Sequence, residues 1–180
     1  MQHELKQSAK LLVAFALVLF AIELVNLITQ RGLIEFGLFP RQLNTLPMIL
    51  TSPFIHGSWQ HFWANFVSLL VFAGLILLQG RMRFFAVSLW IILFTGLAVW
   101  LFARSAIHVG ASGLIYGYFG YLLLAGWRSR QKRMLIVSLV VAVLYGSMVF
   151  GVLPTRGFIS WESHLFGFFS GLVAAWYWAK

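Results

Sequence analysis

The chain of 180 residues contains no cysteine and no aspartate, and its four acidic residues are all glutamates. The absence of cysteine excludes disulfides, thiolate metal ligands and a cysteine nucleophile. Charged residues of both signs make up only 9% of the chain, against about 25% in ordinary soluble domains. So little charge leaves too few polar residues to cover the surface of a water-soluble domain of this length.

Apolar residues take the place of the missing charge. The chain is 61% hydrophobic, with a mean hydropathy of +0.90, which predicts an integral membrane protein. The 18 Phe and 8 Trp fit a bilayer with aromatic belts at its two surfaces. The net charge of +9 is explained by basic residues in the loops, so the lipid bilayer is an expected partner and nucleic acid is not.

Six apolar runs of about bilayer length predict an all-α fold, a six-transmembrane-helix bundle formed by residues 1–180 as one domain. The predicted spans are residues 11–29, 62–80, 84–103, 112–127, 134–153 and 164–179. The first run follows Lys6 and Lys10, as the core of a signal peptide does. It lacks a small-x-small cleavage pattern and continues through Glu23 and Asn26, so we interpret it as a retained anchor.

Basic residues are distributed unequally between the two predicted sides of the membrane. One side holds nine of them: Lys6, Lys10, Arg81, Arg83, Arg128, Arg130, Lys132, Arg133 and Lys180. The other side holds Arg31, Arg41, Arg104 and Arg156. By the positive-inside rule both termini are predicted to be cytoplasmic, and spans two, four and six run from outside to inside.

Three polar residues are predicted to lie at one depth in the membrane. Ser112, His164 and Asn65 each precede a basic residue of the cytoplasmic side by 16 residues, a rise of roughly 24 Å against a hydrocarbon core of about 30 Å. His61 lies one turn before Asn65 on the same helix face. Buried polar groups at this depth are costly unless they are paired, which makes these four residues candidates for a functional site.

Glycine spacing predicts that spans four and six pack closely together. Span four has a small-x-x-x-small pattern that starts at Gly113, and span six has Gly167 and Gly171. Small residues at this spacing allow two helix backbones to approach within lipid. Tyr116 lies one turn after Ser112, where its ring is able to stack on an imidazole from span six.

Taken together, the polar residues and glycines form three groups in chain order. They are His61-x-x-x-Asn65, then Gly110-x-Ser112-Gly113 with Tyr116, then His164-x-x-Gly167-x-x-x-Gly171. This set resembles the rhomboid intramembrane serine proteases over spans two to six. Each group alone is more typical of helix packing or interhelical hydrogen bonding, whereas their joint occurrence in this order favours a protease.

The resemblance implies a six-helix intramembrane serine endopeptidase of a bacterial inner (cytoplasmic) membrane, with no cofactor and no metal. Ser112 would be the nucleophile and His164 the general base, while His61, Asn65 and the Ser112 N–H would stabilise the oxyanion. The expected substrates are single-span or multi-span membrane proteins, cleaved near the outer end of a transmembrane segment.

The chemistry of the residues agrees with a catalytic dyad. A serine hydroxyl becomes a useful nucleophile only when a base takes its proton, and His164 lies on a neighbouring predicted helix. Glu162 lies only two residues before His164, a separation that disfavours a full serine-histidine-acid triad.

The remaining polar residues receive weaker predictions. His56 either touches the site or stabilises the first loop, and His108 and His3 are expected to be interfacial or solvated. Glu23 and Asn26 are expected to make structural hydrogen bonds to a neighbouring helix. The apolar residues of the first loop, 30–60, predict a segment in the outer interface, and Leu153–Ser163 is a candidate lid.

Three other classes of function remain open. A histidine metal site is one, formed by His56, His61, His108 and His164, although no His-Glu-x-x-His pair is present. A second is a non-catalytic relative that binds transmembrane clients. The third is a small transporter, which would require inverted repeats that the six spans do not show.

Overall fold

The computed structural model describes residues 2–155 and 160–179, over which the chain forms six α-helices. The helices are α1 (Gln2–Ile28), α2 (Trp59–Leu77), α3 (Arg81–Phe102), α4 (Ser112–Ser129), α5 (Lys132–Tyr145) and α6 (Trp161–Trp178). Shorter 3-10 helices cover Gly32–Phe36, Leu43–Ile49, Ser52–Phe54 and Gly146–Val152. The described residues contain no β-strand, only an isolated bridge between Leu38 and His108. The all-α fold is therefore confirmed.

Two helices differ from the predicted spans by more than about three residues at one end, and the other four agree more closely. α1 begins at Gln2 rather than at residue 11, because the polar N-terminal residues continue the helix beyond the apolar run. The fifth apolar run ends as an α-helix at Tyr145 and continues as the 3-10 helix Gly146–Val152. Gly146 is the first of two glycines in that run, and its weak helix propensity favours the change of geometry there.

Within the described residues, four helical segments are long and apolar enough to cross a membrane: Gln2–Ile28, Trp59–Leu77, Arg81–Phe102 and Lys132–Val152. α4 and α6 are of similar length but carry more glycine and polar side chains. α4 packs against α2, α3, α5 and α6 and is the central helix of the bundle. Its side chains face protein rather than lipid, which relaxes the requirement for an apolar surface.

The contact between α4 and α6 is a contact between backbones. A Cβ atom added to Gly167 would overlap the carbonyl of Gly113, and one added to Gly171 would overlap the carbonyl of Gly117. A Cβ on Gly120 would likewise overlap the Phe168 carbonyl. This is the close packing that the glycine spacing predicts, and it places the N-terminus of α4 beside the N-terminus of α6.

A buried polar cluster anchors the end of α1 to the chain before α2. Glu23 and Asn26 are fully buried, and Arg31 Nη1 lies 2.6 Å from Glu23 Oε1. The backbone carbonyl of His56 accepts hydrogen bonds from Asn26 Nδ2 at 2.8 Å and from Arg31 Nη1 at 3.2 Å. Glu23 and Asn26 thus have a structural role, but their partners lie in the first loop and not on a neighbouring helix.

Candidate active site

A cavity of about 790 Å³ opens between α2, α4, α5 and α6. It is lined by five of the predicted site residues: Ser112, His164, His61, Asn65 and Tyr116. Met148 of the 3-10 helix after α5 and residues of the loops before α2, α4 and α6 complete its wall. The fold therefore brings together side chains as distant in the chain as His61 and His164.

Ser112 is the first residue of α4, and its side chain is half-buried at the cavity wall. Gly110, two residues earlier, has a φ of +113°, a conformation that glycine adopts without strain. Its N–H donates to the Ser52 carbonyl at 3.0 Å. Ala111 at the N-cap position offers no side-chain acceptor, so the first N–H groups of α4 remain available for an anion at the cavity.

His164 is held on two sides. Its ring stacks on the Tyr116 ring with a centroid separation of 4.1 Å and an interplanar angle of 6°. Its Nδ1 atom lies 2.9 Å from the carbonyl oxygen of Gly151. A carbonyl only accepts hydrogen bonds, so Nδ1 carries the proton and Nε2 presents its lone pair.

Gly151 is a site residue that sequence reasoning did not identify. It lies in the 3-10 helix Gly146–Val152, and its carbonyl occupies the place that an acid takes in a serine-histidine-acid triad. A Cβ atom at Gly151 would overlap the hydroxyl of Tyr116. A single glycine in an apolar run gives no sequence signal for either role.

Glu162 does not supply the acid of a triad. Its carboxylate is buried and lies 3.3 Å from Arg104 Nε, and the Arg104 backbone N–H also donates to it at 3.5 Å. The side chain therefore fastens the start of α6 to the loop before α4. The arrangement at His164 is that of a histidine oriented by a backbone carbonyl.

Ser112 and His164 line the same cavity without a direct hydrogen bond. In the part of the chain that the structure describes, no hydrogen bond of 3.5 Å or less joins the Ser112 hydroxyl to the His164 imidazole. Catalytic hydrogen bonds are often long in the absence of substrate and tighten in the complex. The geometry is that of two residues on adjacent helix termini facing one cavity.

His61 and Asn65 lie on one face of α2 across from Ser112. The His61 ring rests against Gly110, where an added Cβ would lie 2.7 Å from Nε2. Asn65 Nδ2 donates to the His61 carbonyl at 2.8 Å, which leaves the second N–H of the amide for another acceptor. Among the described residues, Asn65 Oδ1 is buried without a hydrogen-bond partner.

His56 lies behind His61 and does not line the cavity. Its ring is only 2% exposed and meets the rings of His61 and Phe62 edge to face, at centroid separations of 5.2 and 5.3 Å. Neither ring nitrogen has a hydrogen-bond partner within the described residues. Burial lowers the pKa of His56 to about 3, and the nearby His61 and Arg31 contribute to the shift. Its contacts support the first loop and the ring of His61.

Replacing His56 with phenylalanine should reduce the loss of stability at acid pH. The unfolded chain binds a proton at His56 near pH 6.5, whereas the folded chain does so only at about pH 3. The free energy of unfolding therefore falls as the pH drops through this window, by at most about 1.4 kcal/mol per pH unit. Thermal unfolding in detergent, measured from about pH 7 to about pH 4, should show a shallower decline for His56→Phe. Equal slopes for both proteins would contradict the buried neutral state.

His108 is buried, contrary to the prediction from the sequence. It was expected to be interfacial or solvated, yet it is 5% exposed and contributes to the cavity wall. Its Nδ1 lies 2.7 Å from Ser160 Oγ and its Nε2 lies 3.1 Å from the Arg104 carbonyl oxygen. The backbone bridge to Leu38 draws this loop inward, a long-range contact that has no signature in the local sequence.

Two further predictions concern surface segments. His3 is exposed on the first turns of α1, where it contacts Gln7. The first loop folds into three 3-10 helices, with Leu38 buried in contact with Val99 and with Phe36 and Leu43 exposed. The proposed lid, Leu153–Ser163, includes residues 156–159, which lie outside the described residues.

The fold and the cavity define a class of protein: an all-α, multi-pass integral membrane protein with a serine and a histidine at adjacent helix termini. The model of the Rhomboid domain matches residues 43–180. An uncharacterized protein of Mycobacterium tuberculosis is 32% identical over 173 residues, which cover 91% of this chain and 72% of that protein. An uncharacterized protein of Mycobacterium leprae is 35% identical over 173 residues, with 91% of this chain and 68% of that protein covered.

The chain belongs to the Rhomboid family, whose members are generally intramembrane serine proteases. The matched region begins in the first loop and contains α2 to α6 in full. It includes every residue that lines the large cavity. The polar cluster of α1 lies outside the matched region and contacts it through the His56 carbonyl.

Proposed function

We propose that the protein is an intramembrane serine endopeptidase in which Ser112 is the nucleophile and His164 the general base. The single observation that carries this proposal is the shared cavity, where Ser112 faces a histidine whose Nδ1 is engaged by the Gly151 carbonyl. A histidine in this tautomer accepts a proton at Nε2 and no other ring atom. Family membership supports the same reaction class.

The reaction proceeds in two halves. Ser112 Oγ attacks the carbonyl carbon of the scissile peptide while its proton passes to His164 Nε2, and the carbonyl oxygen takes up the negative charge. The intermediate collapses as His164 returns the proton to the leaving amine. Water then attacks the acyl-enzyme with His164 again as base, which releases the acid product and restores the Ser112 hydroxyl.

Three groups are suited to stabilise the oxyanion. The Ser112 N–H at the start of α4 has no intrahelical acceptor, and the positive end of the helix favours negative charge there. Asn65 keeps one amide hydrogen after its bond to the His61 carbonyl. His61 lines the same wall and contacts Gly110, two residues before the nucleophile.

The proposed substrates are single-span and multi-span membrane proteins. The cavity is bounded by α2 and α5, two of the segments apolar enough to face lipid, so a transmembrane segment reaches it from within the bilayer. Nine of the thirteen basic residues lie on the opposite side from the cavity mouth in the proposed topology. This distribution favours cytoplasmic termini, a bacterial cytoplasmic membrane and cleavage near the outer face.

A non-catalytic role in binding transmembrane clients is the second candidate. The missing hydrogen bond between Ser112 and His164 is the observation that favours it. A metal site is disfavoured by the hydrogen bonds of His108, whose two ring nitrogens contact Ser160 and the Arg104 carbonyl. No group of three potential metal ligands occurs among the residues described.

Covalent labelling with a fluorophosphonate probe distinguishes a serine protease from a non-catalytic binding protein. The purified full-length chain should become covalently labelled at Ser112, because only a serine activated by a base reacts readily with such a probe. Labelling should disappear in Ser112→Ala and fall strongly in His164→Ala. Unlabelled wild-type protein that still binds a transmembrane peptide would favour the non-catalytic role.

A further inference from the structure

A second cavity lies at the end of the bundle where α2 ends, α3 begins and a short turn joins α4 to α5. We name this the basic end. Its basic residues are Arg81, Arg83, Arg128, Arg130, Lys132 and Arg133. Glu4 is the one carboxylate found there within the described residues, and it pairs with Arg81 at 3.2 Å. Most of the positive charge at this end therefore has no acidic partner from the protein.

The cavity at the basic end has a volume of about 310 Å³ and two kinds of wall. Arg83, Arg133, Gln79 and Gln131 form the polar wall, and Leu75, Leu78, Met134 and Val137 form the apolar one. The volume is at the lower end of the range of small-molecule sites, about 300–1,000 Å³. The apolar wall consists of side chains from α2 and α5, two segments suited to face lipid.

The polar wall offers hydrogen-bond donors. Within the described part of the chain, neither Arg83 nor Arg133 forms a salt bridge with a carboxylate. Gln79 Oε1 accepts a hydrogen bond from the Tyr121 hydroxyl at 2.8 Å. Gln79 Nε2 is buried and has no partner among the described residues. The Arg83 guanidinium also hydrogen-bonds the Tyr121 hydroxyl. Its other N–H groups and the exposed Arg133 guanidinium, together with the Gln79 amide N–H groups, fit an anion with several oxygen atoms, such as a phosphate group.

We propose that this cavity binds the phosphate group of an anionic phospholipid, with the first methylene groups of its acyl chains against Leu75, Leu78 and Val137. Basic pockets between transmembrane helices at a membrane surface are typical sites for anionic headgroups. The apolar wall distinguishes a lipid from free phosphate, because burial of acyl methylenes adds binding energy that an inorganic ion lacks. The site does not depend on the proposed catalysis.

Native mass spectrometry of the full-length chain in detergent tests this site. The probe is phosphatidylglycerol, with phosphatidylcholine of the same acyl chains and inorganic phosphate as comparisons. Phosphatidylglycerol should bind more tightly than either and should raise the midpoint of thermal unfolding. Arg133→Gln should weaken its binding about fivefold, and Arg83→Gln with Arg133→Gln about thirtyfold. Ser112→Ala should bind it as the wild type does.

Lys132→Gln is the matched control. Lys132 lies at the basic end, and its replacement changes the net charge by the same amount as Arg133→Gln. Unlike Arg133, Lys132 does not line the cavity. This variant should bind phosphatidylglycerol within about twofold of the wild type, because Lys132 acts on the bound headgroup only from outside the cavity, across solvent where salt screens its charge. Arg133 is exposed, so its replacement leaves the fold intact. Equal losses in Arg133→Gln and Lys132→Gln would overturn the proposal, as would equal affinities for phosphatidylglycerol and phosphatidylcholine. Inorganic phosphate that binds as tightly as phosphatidylglycerol would also overturn it.

Discussion

Ser112→Ala should abolish cleavage of a model single-span substrate by the purified protein in liposomes, with a loss of at least about 10³-fold. The variant removes the atom that forms the acyl-enzyme and leaves the start of α4 otherwise unchanged. His164→Ala should cause a loss of the same order, because nucleophile and base act as a unit. Cleavage is measured as product formation on gels at several times, under single-turnover and multiple-turnover conditions.

Ser147→Ala is the control for this experiment. Ser147 is exposed on the 3-10 helix after α5 and does not line the cavity, so the variant should cleave like the wild type. Asn65→Ala should lose less than the dyad variants, about 10²–10³-fold, as expected for one oxyanion donor. Full cleavage by both Ser112→Ala and His164→Ala would show that the dyad assignment is wrong. Full cleavage by Asn65→Ala would remove only its role at the oxyanion.

Gly171→Ala should have the largest effect on stability. The added Cβ would overlap the Gly117 carbonyl and lie 2.9 Å from the Tyr121 nitrogen. Backbone atoms cannot turn aside as a flexible side chain does, so α6 must move away from α4 along its length. We expect the free energy of unfolding to fall by about 3 kcal/mol or more. Thermal or denaturant unfolding in detergent measures this change.

Gly146→Ala is the matched substitution for Gly171→Ala. A Cβ at Gly146 meets no atom within 4 Å, and its φ of −58° suits any residue. This variant should unfold at the wild-type midpoint or slightly above it, because alanine restricts the unfolded chain more than glycine does. An equal loss of stability in the two variants would contradict the backbone contact between α4 and α6.

The helical fold and the pairing of α4 with α6 follow from short-range patterns. Apolar runs of bilayer length have few structural alternatives, because the backbone must satisfy its own hydrogen bonds in lipid. The pattern that starts at Gly113 and the pair Gly167 and Gly171 predict the closest helix contact. Counting residues to the basic loops predicts that Ser112, His164 and Asn65 lie at one level, and all three line one cavity.

Contacts that depend on the folded path of the chain could not be predicted from the local sequence. Gly151 acts through its carbonyl, and any residue has a carbonyl, so its identity carries no signal for that role. The burial of His108 depends on a bridge to Leu38, seventy residues earlier in the chain. Arg31 pairs with Glu23 across the end of α1. Predicting this contact requires knowledge of the turn that follows the helix.

The burial of α4 has a consequence for the order in which the protein matures. α4 is synthesised before α6, yet the backbone carbonyls of Gly113 and Gly117 pack against Gly167 and Gly171 of α6. A nascent chain that ends before α6 therefore leaves these two carbonyls without their partner helix and holds Ser112 on a helix without its closest neighbour. Ser112 enters its final environment only when α6 brings His164 to the wall of the cavity. Under the proposed mechanism, a chain that lacks α6 has the nucleophile without its base, so activity requires the complete bundle.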